Sequence, residues 1–485
     1  LTIATTNPIK EALAELAELL GTSGFLDETE ALARYSKDTS TADACMPIAV
    51  LRPADTQQVS AIMRICHRVS IPVVPQGGLT GLSGGAVPTE GSVALSLERM
   101  RGIIEVDVDN ASLTAWAGTA LETVQEAASA KGYEYPVDIG SRGSATIGGT
   151  IATNAGGIRV IRHGMTRNHV LGLEVVLADG NVLCNMRSML KDNAGFDLKQ
   201  MFIGSEGCLG IVTRAVLRLS AAPHDRYTAL LGLPSYEAAL SCLASARGHF
   251  QAELTAFEGM WPAYWNVACR MVAAERKPML TEHAIYVLLE TTGRHDDMLH
   301  SWLEECFELG LIADGTVAAS LSEAKAMWSI REAIGDIGRE TGGHLNFDVS
   351  LAPSQLGEFV EACEFALKDV VSRDLIHLGH IADGNLHVIV PVPPGRHDIE
   401  LEVERRLFDI LAARNGSVTA EHGVGSLKRP WLGKTRSAEE IQVMRLLKQA
   451  LDPVGILNPG KVIPEPCPFF ASSAPDESHP SCPNR

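Results

Sequence analysis

Between residues 75 and 210 the chain gathers glycine into three dense clusters, which restricts that region to tight turns and close backbone approaches. The first is Pro75-Gln76-Gly77-Gly78-Leu79-Thr80-Gly81-Leu82-Ser83-Gly84-Gly85, directly after the apolar run Ile71 to Val74. Gly148-Gly149 with Asn154-Ala155-Gly156-Gly157 form the second, and Gly204-Ser205-Glu206-Gly207-Cys208-Leu209-Gly210, running into Ile211, the third. Glycine admits positive φ and lets backbone N–H groups close on an anion with no Cβ in between, which is the geometry a pyrophosphate needs. One cluster alone is equally well a set of turns, but three in one region point to a nucleotide cofactor. The G-x-G-x-x-G fingerprint of nicotinamide-binding folds occurs nowhere in the chain, so NAD is the weaker choice.

At roughly 150 residues per domain, 485 residues suggest about two to four domains. The balance of 41 Lys plus Arg against 59 Asp plus Glu, a net charge of -18 with no basic patch, argues against nucleic-acid binding. No uninterrupted apolar run reaches the roughly 18 residues of a membrane span, so no transmembrane segment is expected. Ten cysteines without a C-x-x-C pair argue against an iron–sulfur cluster and against a disulfide framework. A cytoplasmic location is the expectation, although a chain that begins at Leu1 leaves room for a removed leader. Oligomeric state leaves no mark in the sequence, and a homodimer is left open.

Hydrophobic patterning divides the chain. Residues 1–221 hold an N-terminal helix, a clear helical stretch at Thr56 to Val69, and short apolar runs at Ala49 to Leu51, Val73 to Pro75, Val93 to Leu97 and Leu171 to Leu177. Over 222–414, strand-like runs at Tyr227 to Leu233, Ala284 to Leu289, Leu345 to Leu351 and Val388 to Val392 alternate with helical patterns. The helical patterns lie at Tyr236 to Arg247, Asp297 to Leu309, Leu321 to Glu340 and Gln355 to Val371. This texture predicts a second α+β domain with its own sheet. Residues 415–463 carry a last helix at Ser437 to Leu451, and the Pro- and Ser-rich tail 464–485 is expected to be disordered.

The chemistry is expected around two histidine-bearing segments. In His380-Ile381-Ala382-Asp383-Gly384-Asn385-Leu386-His387, an Asp383-Gly384 hairpin turn sets His380 directly opposite His387, close enough for both imidazoles to hold one metal ion. A Gly384-Asn385 turn separates them. Thr419-Ala420-Glu421-His422-Gly423-Val424-Gly425 adds a carboxylate and another histidine, and two histidines with one carboxylate are a usual catalytic metal set. Without further information, a packed polar pair is the more common reason for two histidines across a hairpin.

The glycine clusters, with Val137-Asp138-Ile139-Gly140-Ser141, Ile151 to Gly157 and Phe202 to Gly207, resemble the FAD-binding domain of the vanillyl-alcohol oxidase and p-cresol methylhydroxylase superfamily, in its D-2-hydroxyacid dehydrogenase branch. The likeness runs from about Arg34 to Ile463. It implies an α+β fold, with a two-subdomain FAD-binding domain of the p-cresol methylhydroxylase type and an α+β substrate cap built on an antiparallel sheet. It implies that FAD is contacted by Pro75, Gly77, Gly78, Leu79, Thr80, Gly81, Leu82, Gly85, Asp138, Ser141, Gly148, Gly149, Asn154, Gly156, Gly157, Glu206, Gly210, Ile211 and Asn458. Leu79 stands where members with covalent flavin carry His, which implies non-covalent FAD. By the same resemblance His380, His387 and Glu421 ligate a divalent metal, usually zinc, His422 is the catalytic base, and Arg331 binds the substrate carboxylate. Glu421 and His422 can share one site only if the backbone bends, which Gly423 permits.

The pattern departs from relatives acting on D-2-hydroxyglutarate at Asn346, where they have Lys, at Ile389, where they have Asn, and at Gly335, where they have Thr. With Asn385, Asn346 and Ile389 expected near the substrate, the missing cation and polar groups favour a monocarboxylic D-2-hydroxy acid such as D-lactate or D-mandelate. D-2-hydroxyglutarate is the alternative substrate, and a non-catalytic flavoprotein subunit of a larger oxidoreductase is the alternative of another class. An external acceptor, a quinone or an electron-transfer flavoprotein, is expected to take the electrons.

Overall fold

The computed structural model describes residues 7–272, 278–279, 281–293 and 297–465. Asp55 accepts the N–H of Gln58 and so starts the helix Thr56–Val69, which buries Val59, Ile62, Met63 and Cys66 and stops at Ser70 with φ of 57°. The buried residues join an apolar core that runs through two sheets. One has the strand order Phe25–Leu26, Val50–Leu51, Val93–Ser96, Val73–Gln76, its last three strands parallel. The other is antiparallel, in the order Ile103–Asp107, Ser112–Trp116, Ile211–Arg218, Val170–Val176, Val182–Asn185. The chain's last turn returns here: Leu457 bridges Val73, and the Asn458 N–H donates to the Val73 carbonyl at 2.9 Å.

The second half is built on seven strands: β1 (Asp225–Leu233), β2 (Leu254–Met260), β3 (Ile285–Gly293), β4 (Asp314–Val317), β5 (His344–Ser350), β6 (Ile376–His380) and β7 (Asn385–Pro391). Their order is β4-β1-β3-β2-β6-β7-β5, antiparallel throughout. Side chains alternate across a sheet, so one face of β5 and β7 sends Phe347, Val349, Leu386, Val388 and Val390 against the helices Leu356–Leu367 and His397–Ala412. The other face packs Ile376, Leu378 and Ile389 against Tyr264, Trp265, Met327, Ile330 and Ile337. That second face carries the polar residues described below.

The fold is α+β, as the patterning predicts, and the sheet of the second half is antiparallel, as the resemblance implies. Thr56–Val69 has the expected ends, and Ser437 with Glu440 forms a capping box that starts the helix Ala438–Leu451. Leu321 to Glu340 differs from the expected single helix, because a 3-10 turn at Ala333–Asp336 divides Leu321–Glu332 from Ile337–Thr341. Gly335 and Gly338 each weaken helix there by about 1 kcal/mol relative to Ala. Of the tail expected to be disordered, only Pro464 and Glu465 are among the described residues. Among the described residues, no helix is long and apolar enough to cross a membrane.

Glu174 ties the first half of the chain together. It accepts from Thr56 Oγ1 at 2.5 Å, Thr213 Oγ1 at 2.8 Å and Arg214 Nε at 2.8 Å. Burial pushes its carboxyl pKa up, but the bonds from Arg214, Thr56 and Thr213 outweigh burial and hold it below the ordinary 4.5. Its stabilisation is complete above the unfolded-state value and is lost as pH falls through the folded one. Glu174→Gln is therefore expected to lower stability by about 2 kcal/mol at pH 7, with the gap from wild type narrowing below pH 4.5, as read from urea midpoints across pH.

Candidate active site

The hairpin between β6 and β7 turns through four residues, Ile381–Gly384, rather than through Asp383 and Gly384 alone. Gly384 has φ of 83° and donates its N–H to the His380 carbonyl at 3.1 Å, while Asp383 Oδ1 accepts from the Asn385 N–H at 3.1 Å. His380 consequently pairs with Asn385 and His387 with Leu378, which corrects the expected direct pairing of the two histidines. The register moves by two residues, so both side chains stay on one face as diagonal neighbours, with ring centroids 5.8 Å apart.

Two rows cross the sheet here: Glu258, His380, Asn385 and Ser350, and next to it Met260, Leu378, His387 and Asp348. Glu258 lies buried between two cations, with Oε1 2.7 Å from His380 Nδ1 and Oε2 accepting from Arg331 Nε at 2.8 Å. Arg331, from the helix Leu321–Glu332, also brings a terminal nitrogen within 3.5 Å of His380 Nε2. Burial would lower the His380 pKa, but the Glu258 charge and hydrogen bond outweigh it and push it up to about 9. Burial instead holds His387 well below its ordinary value, and His422 below its own, so both are neutral imidazoles at pH 7.

The segment from Thr419 to Gly425 forms neither helix nor strand. Its backbone curls as the sharing of a site by Glu421 and His422 requires, and Gly423 takes φ of 79°. Two carboxylates, the buried Asp348 and the half-buried Glu206, hold the curl. Asp348 Oδ2 accepts from the N–H groups of Ala420, Glu421 and His422 at 3.1, 2.9 and 2.8 Å, and Glu206 accepts from those of Val424 and Gly425 at 2.7 and 2.9 Å. Glu421 then sends Oε1 to the Gly157 N–H at 2.6 Å, and the His422 ring stacks on His387 with centroids 5.7 Å apart. Donor atoms of His380, His387 and Glu421 all lie within 4.8 Å of one another. The chemistry of this set fits a divalent metal.

The glycine clusters meet beside it. A Cβ on Gly77 would stand 2.4 Å from Thr146 Oγ1 and one on Gly78 1.9 Å from the Ser144 carbonyl oxygen, so only glycine allows this approach. Among the described residues, the N–H groups of residues 77–82, which include Leu79 (φ 57°), Thr80, Gly81 and Leu82, find no acceptor. Such a row of free donors fits a pyrophosphate. Pro75 packs on Gly207, Gly85 lies 3.2 Å by its Cβ direction from Glu206, and Gly148 and Gly149 begin the helix Ile147–Thr153, which ends at Asn154. Asn458 Nδ2 ties the loops together by donating to the Gly85 and Glu206 carbonyls at 3.0 and 2.7 Å, and its Oδ1 is buried with no partner. These features fit FAD.

The other expected site residues have partners within the protein. The Asp138 carboxylate is committed to Arg142 and, at 2.6 Å, to Arg159, and its backbone bridges Gly157. The Glu206 carboxylate serves the 424–425 backbone. Ser141 accepts the N–H groups of Ser144 and Ala145, Gly210 packs against Val175, and Ile211 begins a strand. Gly156 faces Glu421 Oε1. Asn385 is bonded to Asp348 Oδ1 at 2.8 Å, Asn346 is exposed, and Ile389 is buried in the apolar cluster beside His387. Glu258 and Asp348 were not anticipated. A single acid in the otherwise uncharged run Leu254 to Met260 is the signal that marks Glu258.

The description "FAD binding domain" matches residues 47–184, and "FAD linked oxidases, C-terminal domain" matches residues 222–462. In fold, the chain is similar to p-cresol methylhydroxylase with substrate bound, at a TM-score of 0.75 and 18% identity over 94% of this chain and 97% of that one. A 4-ethylphenol oxidase from Gulosibacter chungangensis gives a TM-score of 0.76 and 18% identity over 96% and 99%. The fold is thus that of the vanillyl-alcohol oxidase and p-cresol methylhydroxylase flavoproteins. In sequence, the chain is 38% identical to a D-2-hydroxyglutarate dehydrogenase of Xanthomonas citri pv. viticola over 89% of this chain and 92% of that one. It is 37% identical to the mitochondrial D-2-hydroxyglutarate dehydrogenase of Danio rerio over 86% and 78%, and 37% identical to a putative mitochondrial D-lactate dehydrogenase of Schizosaccharomyces pombe over 85% and 81%. The chain belongs to the FAD-dependent D-2-hydroxyacid dehydrogenases, enzymes acting on CH–OH groups.

Because a methyl at Gly78 meets backbone rather than a movable side chain, Gly78→Ala is expected to empty the flavin site. Purified Gly78→Ala should carry less than about a tenth of the wild-type flavin absorbance per chain, with wild-type circular dichroism.

Proposed function

We propose that this dehydrogenase oxidises D-2-hydroxyglutarate to its 2-oxo acid, with FAD bound non-covalently and a divalent metal, zinc by preference, held by His380, His387 and Glu421. The observation that carries the chemistry is the meeting of those three donors and His422 at Gly156 and Gly157, beside the free N–H groups of residues 77–82. The diacid is supported by the names of the relatives at 37–38% identity. Arg331 is fixed by Glu258 through Nε, with one terminal nitrogen 3.5 Å from His380 Nε2, and offers its guanidinium to the substrate carboxylate. His422, neutral and stacked on His387, takes the proton of the 2-hydroxyl. Glu258 holds His380 by Nδ1, and Nε2 would hold a bound metal in place of the proton that His380 carries without it. Bound FAD supplies the two-electron acceptor for the C2 hydride, and the metal supplies polarisation of the hydroxyl. Leu79 offers no nucleophile to the flavin ring. A quinone or an electron-transfer flavoprotein then accepts the electrons.

One observation favours a second substrate reading. The row that continues from His387 and Asp348 is Ile376, Ile389 and Asn346, which carries no charge to meet a distal carboxylate. A monocarboxylic acid such as D-lactate or D-mandelate suits that row better. The eight described cysteines are free thiols, which supports a reducing compartment such as the cytosol, while the names of several relatives are mitochondrial.

The test is anaerobic flavin bleaching by D- and L-2-hydroxy acids, before and after chelation. Fast bleaching by D-2-hydroxyglutarate supports the main reading, preference for D-lactate or D-mandelate supports the second, and bleaching that survives complete metal removal removes the metal from the mechanism. No bleaching by any hydroxy acid points to the non-catalytic subunit. Acid precipitation is expected to release all the flavin into the supernatant.

A further inference from the structure

Glu421 and His422 are neighbours on a segment with no ladder or helix to aim their side chains, yet both reach one site. Asp348, on β5, has the position to explain it. Three successive N–H groups, of Ala420, Glu421 and His422, converge on its Oδ2 together with the Thr419 hydroxyl at 3.0 Å. Such convergence bends the chain into a concave turn around the anion, which removes the alternation that would send the two side chains to opposite faces. Asp348 also lies between two imidazoles. Its Oδ2 is 3.8 Å from His422 Nδ1, and its Oδ1 is 3.9 Å from His387 Nδ1, a buried atom with no partner of its own. Glu258 takes the Nδ1 of His380 at 2.7 Å. Of the three histidines, His380 alone bonds a carboxylate through Nδ1, and the Nδ1 atoms of His387 and His422 lie beside Asp348 beyond hydrogen-bond reach.

Asp348, His387 and His422 are close enough to be read as a second metal site. The hydrogen bonds speak against it. Oδ2 already receives four donors with the Lys428 ammonium 3.7 Å away, and Oδ1 receives the Asn385 amide, so the carboxylate has little left for a cation.

We propose that Asp348 is the positioning residue of this site: it curls the 419–422 backbone so that Glu421 and His422 act together. The role given to His422 rests on the function proposed above, whereas the control of the backbone does not.

The test is Asp348→Asn in the flavin-loaded full chain. Its readouts are kcat and KM for the best hydroxy acid, zinc retention against a chelator, and amide hydrogen exchange over residues 417–427. Displacing two working groups by about 1 Å is expected to lower kcat about 10²-fold with KM within about threefold of wild type. Zinc affinity is expected to fall about 10–100-fold. The amides of residues 420–422 are expected to exchange at least about tenfold faster at unchanged flavin content, in keeping with the loss of their acceptor. Unchanged exchange overturns the proposal, and so does a raised KM at wild-type kcat, which makes Asp348 a substrate contact. If Asp348→Asn does not fold, Thr419→Val decides: a kcat lowered about threefold or more at wild-type Tm supports the proposal, and an unchanged kcat overturns it. If wild-type protein bleaches with no hydroxy acid, the proposed function fails, and hydrogen exchange alone decides whether Asp348 holds the turn.

Discussion

Five backbone N–H groups within six residues, from Ala420 to Gly425, end on two carboxylates, and the site is assembled around that arrangement. Asp348 comes from the cap sheet and Glu206 from the third glycine cluster, so the segment between them is held from both halves of the chain. Ser83 of the first cluster adds a hydrogen bond to the Gly423 carbonyl at 2.8 Å. A loop bonded in this way cannot relax without stranding buried charge, which costs about 3–5 kcal/mol when one partner is lost. The same bonds place Glu421 against Gly157 and His422 against His387.

The electrostatics follow the same economy of a few buried acids. Burial by itself raises the Asp348 pKa, but His422, Lys428, His387 and the N–H of His422 outweigh it and keep the group ionised, well below the ordinary carboxylate range. Burial likewise opposes the charge of Glu258, and His380 and Arg331 outweigh it. Glu206, with only two N–H donors and more distant lysines, stays above the ordinary value because burial dominates. The acids that face cations are fixed anions, and they surround imidazoles that burial keeps neutral at His387 and His422. That is the state in which an imidazole can ligate a metal or accept a proton.

The hairpin shows where local sequence logic succeeds and where it stops. Asp383-Gly384 does mark a turn, and His380 and His387 do share a face. Turn length is set by where Gly384 and Asp383 find their hydrogen bonds, and the two added residues convert opposed partners into diagonal ones without changing face. Asn346 illustrates the limit from another side: its register puts it two residues from Asp348, but it sits where the sheet opens to solvent.

Periodicity and glycine spacing by themselves determined the α+β class, the limits of helices such as Thr56–Val69, and the segments where the backbone approaches closely. These properties are local, because a helix cap, a strand's alternation and a missing Cβ act within a few residues. The tertiary structure alone decided that Asp348 and Glu206 hold the Glu421–His422 turn, that Glu258 links Arg331 to His380, and that Asp138 is spent on arginines. Each of those outcomes needs a buried charge to find partners tens to hundreds of residues away, and the choice among acids is made by which one the packed core brings within hydrogen-bond reach of donors that have lost water.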